Sequence, residues 1–470
     1  MATVFVSVIH AKREHVMDYG HDPIKRLFFN LYWPTLTGML TMAAYQVADG
    51  IIVGYGVGTM ALAGISMSFP VLMVAVSLAM LIGVGSSMVV AIKLGEEQVA
   101  EASRVFHYSC SFSVLISAIL AGVLLVFIDT WVNLLGANAD IEPFLKEYLI
   151  YFALFLPTLF LRFSFSLLLN NDGSPNVSRN ANIISSVLNV VLDLVFVLGF
   201  DWGLKGAAIA TGISQTVAVV FMGYHFYLGR NHLSLRQYAV RVVEPEQRRI
   251  LELGFPIFIS ELSGALAFGL LNKAVIDQGG SEAGAALATI SFTLFFVMKF
   301  LVGVAFSVQP LFGFNHGANN PQRIEELLRF SLKFVVVIGM LAYVLIFLFA
   351  EQIVLLFNVV TPEEVALATQ ALHWFYLGTA FMGANLVFGA YFQSLERTRI
   401  ATCVATMRGV VLVASFLIVL PKILGMTGVW LAIPLAEIAA FLVTLTFVFL
   451  RKNVRSVSMT SSINHSQARY

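Results

Sequence analysis

Long apolar runs recur along the whole chain, and no feature restricts its folding more. Each reaches the roughly 20 residues that cross a ~30 Å hydrocarbon core as a helix. They fall near 27–54, 61–91, 105–128, 143–169, 180–200, 206–229, 250–278, 283–314, 328–350, 364–394, 400–420 and 425–450. The hydrocarbon core holds no water to satisfy a bare backbone, so such runs cross it as helices. The expected fold is an all-α integral membrane protein with twelve transmembrane helices, and the longest must tilt, kink or protrude. Only 12% of the 470 residues are charged, about half the share in soluble domains. The abundant Phe and Gly suit lipid-facing and closely packed helices.

Lys and Arg in the loops set the orientation. With both termini on one side, that side collects twenty of them: four before helix one, twelve in loops and four in the tail. The opposite loops hold only Lys205 and Lys422. Both termini are therefore expected in the cytoplasm. The basic residues are scattered over loops without interleaved aromatics, which argues against nucleic acid as a partner. Cys110 and Cys403 lie in apolar runs and read as small core residues. No P-loop, HExxH, CxxC or GxSxG pattern occurs, so the chain carries no enzyme signature and no sign of hydrolysing ATP itself.

An internal repeat organises the twelve helices. A shift of 222 residues maps Pro34 onto Pro256, Gly95 onto Gly317, Gly203 onto Gly425 and Gly206 onto Gly428. Six helices per half is an even number, so the halves run parallel, related by an axis along the membrane normal. Parallel repeats with a site between them are a transporter architecture. The expected divisions are a cytoplasmic extension (1–22), an N-lobe (23–229), a basic linker (230–249), a C-lobe (250–451) and a tail (452–470). The first sixteen residues read as a disordered extension or as an upstream start whose alternative is Met17. The Ser-rich tail reads as disordered.

Charges inside the spans differ between the halves. Asn189 and Asp193 are four apart on helix five and share a face. At 1.5 Å per residue, Asp49 of helix one, Asp193 and Thr211 of helix six fall in one layer. A carboxylate in a membrane helix costs roughly 2.5–3.5 kcal/mol on insertion scales and usually marks an ion or substrate path. Two such acids beside an amide and a hydroxyl can share protons or hold a hard cation such as Na⁺ through oxygens. Arg162 sits near a helix end and is expected to snorkel. In the C-terminal half, Glu261 with Lys299 and Arg408 with Glu437 are expected as two internal ion pairs. Lys273 and Asp277 read as a helix-end pair, and His107 and His316 as solvated. Pro34 removes a backbone hydrogen bond fifteen residues before Asp49 and permits a bend there.

These residues resemble the MATE (multidrug and toxic compound extrusion) family, in its DinF-like and MepA-like bacterial branch. The resemblance covers about residues 23–450. It rests on YQVADGIIVG with Pro34 upstream, on NVVLD from Asn189 to Asp193, and on GLKGAAIATGISQ from Gly203 to Gln215. It implies a V-shaped pair of six-helix lobes around a central cavity, in a bacterial inner membrane. It also implies export of cationic or amphipathic drugs in exchange for H⁺ or Na⁺, with no other cofactor; a monomer is expected. By the same resemblance Asp49, Asn189, Asp193 and Thr211 match the N-lobe cation site, and helix one bends at Pro34. Glu261 is similar to the helix-seven acid of NorM-like members. The acid those members carry on helix ten is missing here, with Asn385 a loose substitute. Tyr45 and Gln46, one turn before Asp49, are candidate wall residues for the drug, and Arg408 is a further C-lobe candidate. The rivals are a lipid-linked oligosaccharide flippase, which would need a strongly basic cavity, a major-facilitator transporter, and a membrane receptor that moves nothing.

Overall fold

The computed structural model describes residues 17–229, 231–236, 245–357 and 361–467, with the backbone alone over 449–467. Twelve of its helices are long and apolar enough to cross a membrane. In the first half they are α1 (Ile24–Gly56), α2 (Met60–Gly95), α3 (Val99–Val126), α4 (Glu142–Asn171), α5 (Pro175–Gly199) and α6 (Gly203–Leu228). In the second half they are α7 (Gln247–Gly280), α8 (Ala283–Gly317), α9 (Pro321–Leu356), α10 (Pro362–Ser394), α11 (Thr398–Leu424) and α12 (Met426–Val448). Most run a few residues past the apolar stretch that announces them. Caps explain where several begin. Asn320 accepts from the Arg323 N–H at 3.2 Å, with Pro321 in the first turn. Thr361 and Glu364 form a reciprocal cap at the start of α10. The tail departs from expectation, because helix continues from α12 to Gln467. Neither Gly nor Pro occurs between Leu450 and Gln467 to stop it. The disorder expected over residues 1–16 lies outside the described residues.

The repeat is visible in the turns as well as the helices. Positive φ occurs at Gly58 and Gly280, at Glu97 and Asn319, and at Gly203 and Gly425, each pair 222 apart. Glu97 and Asn319 adopt this left-handed conformation without being glycine, just past the ends of α2 and α8. The two halves thus build their loops on one template.

The lobes are stitched together on the face where the N-terminal segment lies. The first half of α1 packs on the second lobe: Leu27, Phe28 and Leu31 share a core with Leu301, Val304 and Val335. Phe28 meets Phe330 and Phe334 of α9 edge-on. The far half of α1 returns to the first lobe, where Ile52 and Val53 pack on Val197 and Ala207. Helix α7 does the converse. Ile250 and Leu253 join the first-lobe core, and Leu271 and Val275 the second. Pro34 and Pro256 sit near these changes of partner, and both helices remain helical through them.

Between the lobes, backbones touch through glycine. A Cβ on Gly95 would lie 2.0 Å from the Phe314 carbonyl oxygen, and one on Gly317 would lie 2.1 Å from that of Ile92. Ile92 and Phe314 are themselves 222 apart, so this crossing of α2 and α8 straddles the pseudo-two-fold axis. Gly85 and Gly254 make a second such crossing between α2 and α7, against the Ile250 and Leu81 carbonyls. Tyr19 straps the same face. Its hydroxyl donates to the Asn170 carbonyl of the first lobe. Its own carbonyl accepts from Asn315 at 3.1 Å and Arg323 at 3.0 Å in the second.

Candidate cation and ligand sites

Three helices bring the acidic layer together. Asn189 and Asp193 stand one turn apart on α5 and are fully buried. The α-helical ladder gives way just after Asp193 to a π-helical stretch, Leu194–Gly199, a feature common at functional sites. With its amide oriented to satisfy both neighbours, Asn189 donates to Asp193 Oδ2 at 3.2 Å. Its oxygen accepts from the Thr211 hydroxyl at 3.2 Å and backbone N–H at 3.3 Å. Asp49 of α1 reaches the same point, and its carboxyl lies beside that of Asp193. The Oδ1 atoms of both acids are buried and accept from no donor among the described residues. Two carboxyl groups bond to each other only with a proton between them. Without that proton, the oxygens of both acids, Asn189 and Thr211 are of the kind that hold a hard cation. No cluster of three His, Cys, Asp or Glu suited to a metal occurs among the described residues. Tyr148 of α4 lies beside Asp49 and Tyr45. Sequence reasoning missed it, since one more Tyr in an apolar helix carries no signal of its own.

A cavity of about 330 Å³ lies against the second lobe, walled by α7, α8, α10, α11 and α12 and touched by Met73 and Val84 of α2. Glu261, Arg408 and Glu437 line it, with Gln309, Asn385 and Gln393. Arg408 lies in a π-helical stretch, Met407–Val411, and donates to Glu437 Oε1 from Nε at 3.1 Å and from a terminal nitrogen at 2.8 Å. Asn385 donates to Glu437 Oε2 at 2.7 Å and to its carbonyl at 2.9 Å. Of the two expected C-lobe ion pairs, this one forms. Glu261 and Lys299 do not pair within 4 Å. They only feel each other's charge, because the Lys299 ammonium sits 4.3 Å from the centre of the Phe295 ring, where the π-face attracts it.

Tyr45 and Gln46 stand elsewhere. Tyr45 is buried and Gln46 exposed, and neither lines this cavity. Arg162 does not snorkel. It is 4% exposed and donates to Asn182 Oδ1 at 2.9 Å, a buried partner closer than water. His107 is buried and bonds the Ser234 carbonyl at 2.8 Å rather than solvent. Cys110 is buried, but Cys403 faces outward; being apolar, it suits lipid as well as core. Lys273 and Asp277 pair at 3.0 Å on an exposed surface, as expected.

Comparison with known proteins decides the family. The MatE family model matches residues 34–195 and again 256–419, beginning both times at a repeat proline. The chain belongs to the MatE family. It is a multi-pass membrane transporter, not an enzyme. Among MatE relatives it is 26% identical to the FAD transporter of Shewanella oneidensis, over 88% of this chain and 92% of that one. It is 25% identical to the multidrug export protein MepA of Staphylococcus saprophyticus, over 94% and 97%. A MOP-superfamily transporter from Pyrococcus furiosus shares the fold at a TM-score of 0.86 and 25% identity, over 93% and 98%. An outward-facing multidrug-resistance MATE transporter shares it at 0.86 and 24%, over 92% and 97%.

Proposed function

We propose that this MatE transporter is a secondary-active efflux antiporter, exporting amphipathic organic compounds, cationic ones included, in exchange for H⁺ or Na⁺. The observation that carries this reading is the buried contact between Asp49 and Asp193, held by Asn189 and Thr211. Such a contact holds either a proton or a cation, so its occupancy follows the ion gradient. Asp49 stands on α1, whose other half packs against the opposite lobe. Ion binding therefore acts on a helix that both lobes share, and coupling follows if the two access states bind the ion unequally. Twenty loop and terminal cations on one side against two on the other orient both termini to a bacterial cytoplasm. The relative named as a multidrug exporter supports an organic substrate. A lipid-linked oligosaccharide flippase is disfavoured, since Glu261 and Glu437 balance Arg408 and the nearby Lys299 and the cavity is not strongly basic.

The test uses proteoliposomes loaded with a fluorescent organic cation, under a pH gradient and separately a sodium gradient. Dye movement is expected under one gradient and should fall at least about tenfold in Asp49→Asn, the scale of one lost charge-assisted contact. Wild-type movement that survives the substitution would remove Asp49 from the coupling.

A further inference from the structure

Helix α5 carries a buried polar stripe along most of its length. Ser178, Asn182, Ser185, Ser186, Asn189 and Asp193 are all buried. At 3.6 residues per turn they share one face about 100° wide, each within a turn of the next. The stripe runs from the start of the helix to the acidic layer, and Asn182 stands about 16 Å along the axis from Asp193. Helix α1 lies against both ends of it. A Cβ on Gly38 would stand 3.0 Å from Asn182 Nδ2, and Asp49 lies beside Asp193.

At the end away from the acids, the stripe meets an unpaired positive charge. Arg162 of α4 is 4% exposed. It donates to Asn182 Oδ1 from Nε at 3.3 Å and from a terminal nitrogen at 2.9 Å. Among the described residues it has no carboxylate within 4 Å and no other acceptor. Arg179, three residues before Asn182, adds a second guanidinium and donates to the Asn180 amide oxygen at 3.0 and 3.1 Å. Other titratable groups toward this end are engaged elsewhere. His107 of α3 bonds the Ser234 carbonyl. Asp172, at the end of α4, accepts the His232 and Leu233 N–H groups and lies 3.6 Å from His225 of α6. A buried charge without a counterion is costly, and inside a membrane span it marks function.

We infer that Arg162 is the electrostatic barrier that keeps the coupling ion from leaking through the first lobe. The stripe offers hydroxyl and amide oxygens in series from the acidic layer toward the N-terminal face, a path for a proton or a small cation. A fixed positive charge across that path repels either one, as an arginine does in a selective pore. An ion held at Asp49 and Asp193 then leaves only when the lobes rearrange, which ties its passage to that of the substrate. Arg162 is a positioning and selectivity residue that touches neither ion nor substrate. This deepens the antiport reading and rests on it for the statement that an ion enters the acidic layer.

The test is ion leak into proteoliposomes without any organic substrate. A trapped pH indicator reads a pH gradient, and a trapped sodium indicator reads a sodium gradient. The wild type should hold both gradients as protein-free liposomes do. Arg162→Gln keeps an amide donor and loses the charge. It should dissipate one of the two gradients at least about tenfold faster than wild type, the scale of one lost charge-assisted contact. Arg162→Lys keeps the charge and should stay tight. Asn182→Asp leaves the arginine in place and neutralises it with a bidentate carboxylate; it should leak too, and it decides the matter where Arg162→Gln does not fold. Adding Asp49→Asn to a leaky variant should restore tightness, because the ion enters through the acidic layer. A folded Arg162→Gln or Asn182→Asp that is no leakier than wild type overturns the inference. So does an Arg162→Lys as leaky as Arg162→Gln, which would make the arginine purely structural, and so does a leak that survives Asp49→Asn. Gradient-driven dye movement by the wild type separates the two readings. Dye movement with tight variants would sink the barrier and leave antiport standing. A leak through the variants of a protein that moves no dye would do the reverse.

Discussion

Asn189 joins the acidic layer into one unit, because a single amide meets Asp193 on one side and Thr211 on the other. Asn189→Ala would leave a buried hydroxyl and a carboxyl oxygen unpartnered. The expected loss is about 1–3 kcal/mol, the range for stranding buried polar groups, read as a lower melting temperature in detergent. Thr211→Val, which keeps the volume and removes one partner, should cost less. Equal melting of Asn189→Ala and wild type would mean that the amide is idle. Much of this layer was legible in the sequence. The four-residue spacing of Asn189 and Asp193 fixes their shared face, and the 1.5 Å rise places Asp49 and Thr211 at matching depth. The C-lobe was less so. Depth alone put Lys299 opposite Glu261, but depth is one coordinate. The direction of a long side chain is set by neighbours such as Phe295, and periodicity does not encode those.

Helices α1 and α7 each pack one half on each lobe, and this was hidden from the sequence. An apolar face announces that it will be buried, not against which partner. The prolines near the crossover were visible; that they stand where a helix leaves one lobe for the other was not. The same limit applies to the glycines, since Gly85 and Gly254 meet from positions far apart in the chain. Their contacts give a test at this scale. A methyl group on Gly254 would lie 1.9 Å from the Leu81 carbonyl oxygen, and backbone must shift to admit it. Gly254→Ala is expected to cost about 1–3 kcal/mol, as overpacking does. It should also shift the population toward states in which the N-terminal face is open. Distances between spin labels on α2 and α7 would read the shift. Gly122→Ala on α3 meets nothing within 4 Å and serves as the control. A variant at Gly254 whose distances match that control would show that the crossing tolerates a side chain. Tyr19→Ala should open the same face more mildly, since it removes a strap and introduces no clash.

At the scale of the molecule, the repeat makes two similar lobes and the sites make them different. A shift of 222 carries Asp49 to Leu271 and Asp193 to Ser415, so the acidic layer has no counterpart in the second lobe. Arg408 has no basic counterpart in the first, where the same shift leads to Ser186. On the proposed reading the first lobe answers to the ion, and the two lobes are joined where α1, α2, α7 and α8 interlock. If transport alternates access, that seam must part once in every cycle. A disulfide across it provides the decisive restraint. A Cβ on Gly313 would stand 2.8 Å from the Cβ of Ala91, so about 1 Å of relaxation reaches disulfide geometry. The variant Ala91→Cys/Gly313→Cys, with Cys110 and Cys403 replaced by Ser, should cross-link on oxidation. Once it does, gradient-driven dye movement should stop, and a reductant should restore it. Binding of a fluorescent organic cation should continue, because neither Ala91 nor Gly313 lines the cavity against the second lobe. Full transport by the cross-linked protein would mean that the lobes never separate here and that the interlocked helices are a fixed floor. Transport that stops and returns with the thiols would make the seam the gate, with α1 as the element through which the Asp49 cluster reaches it.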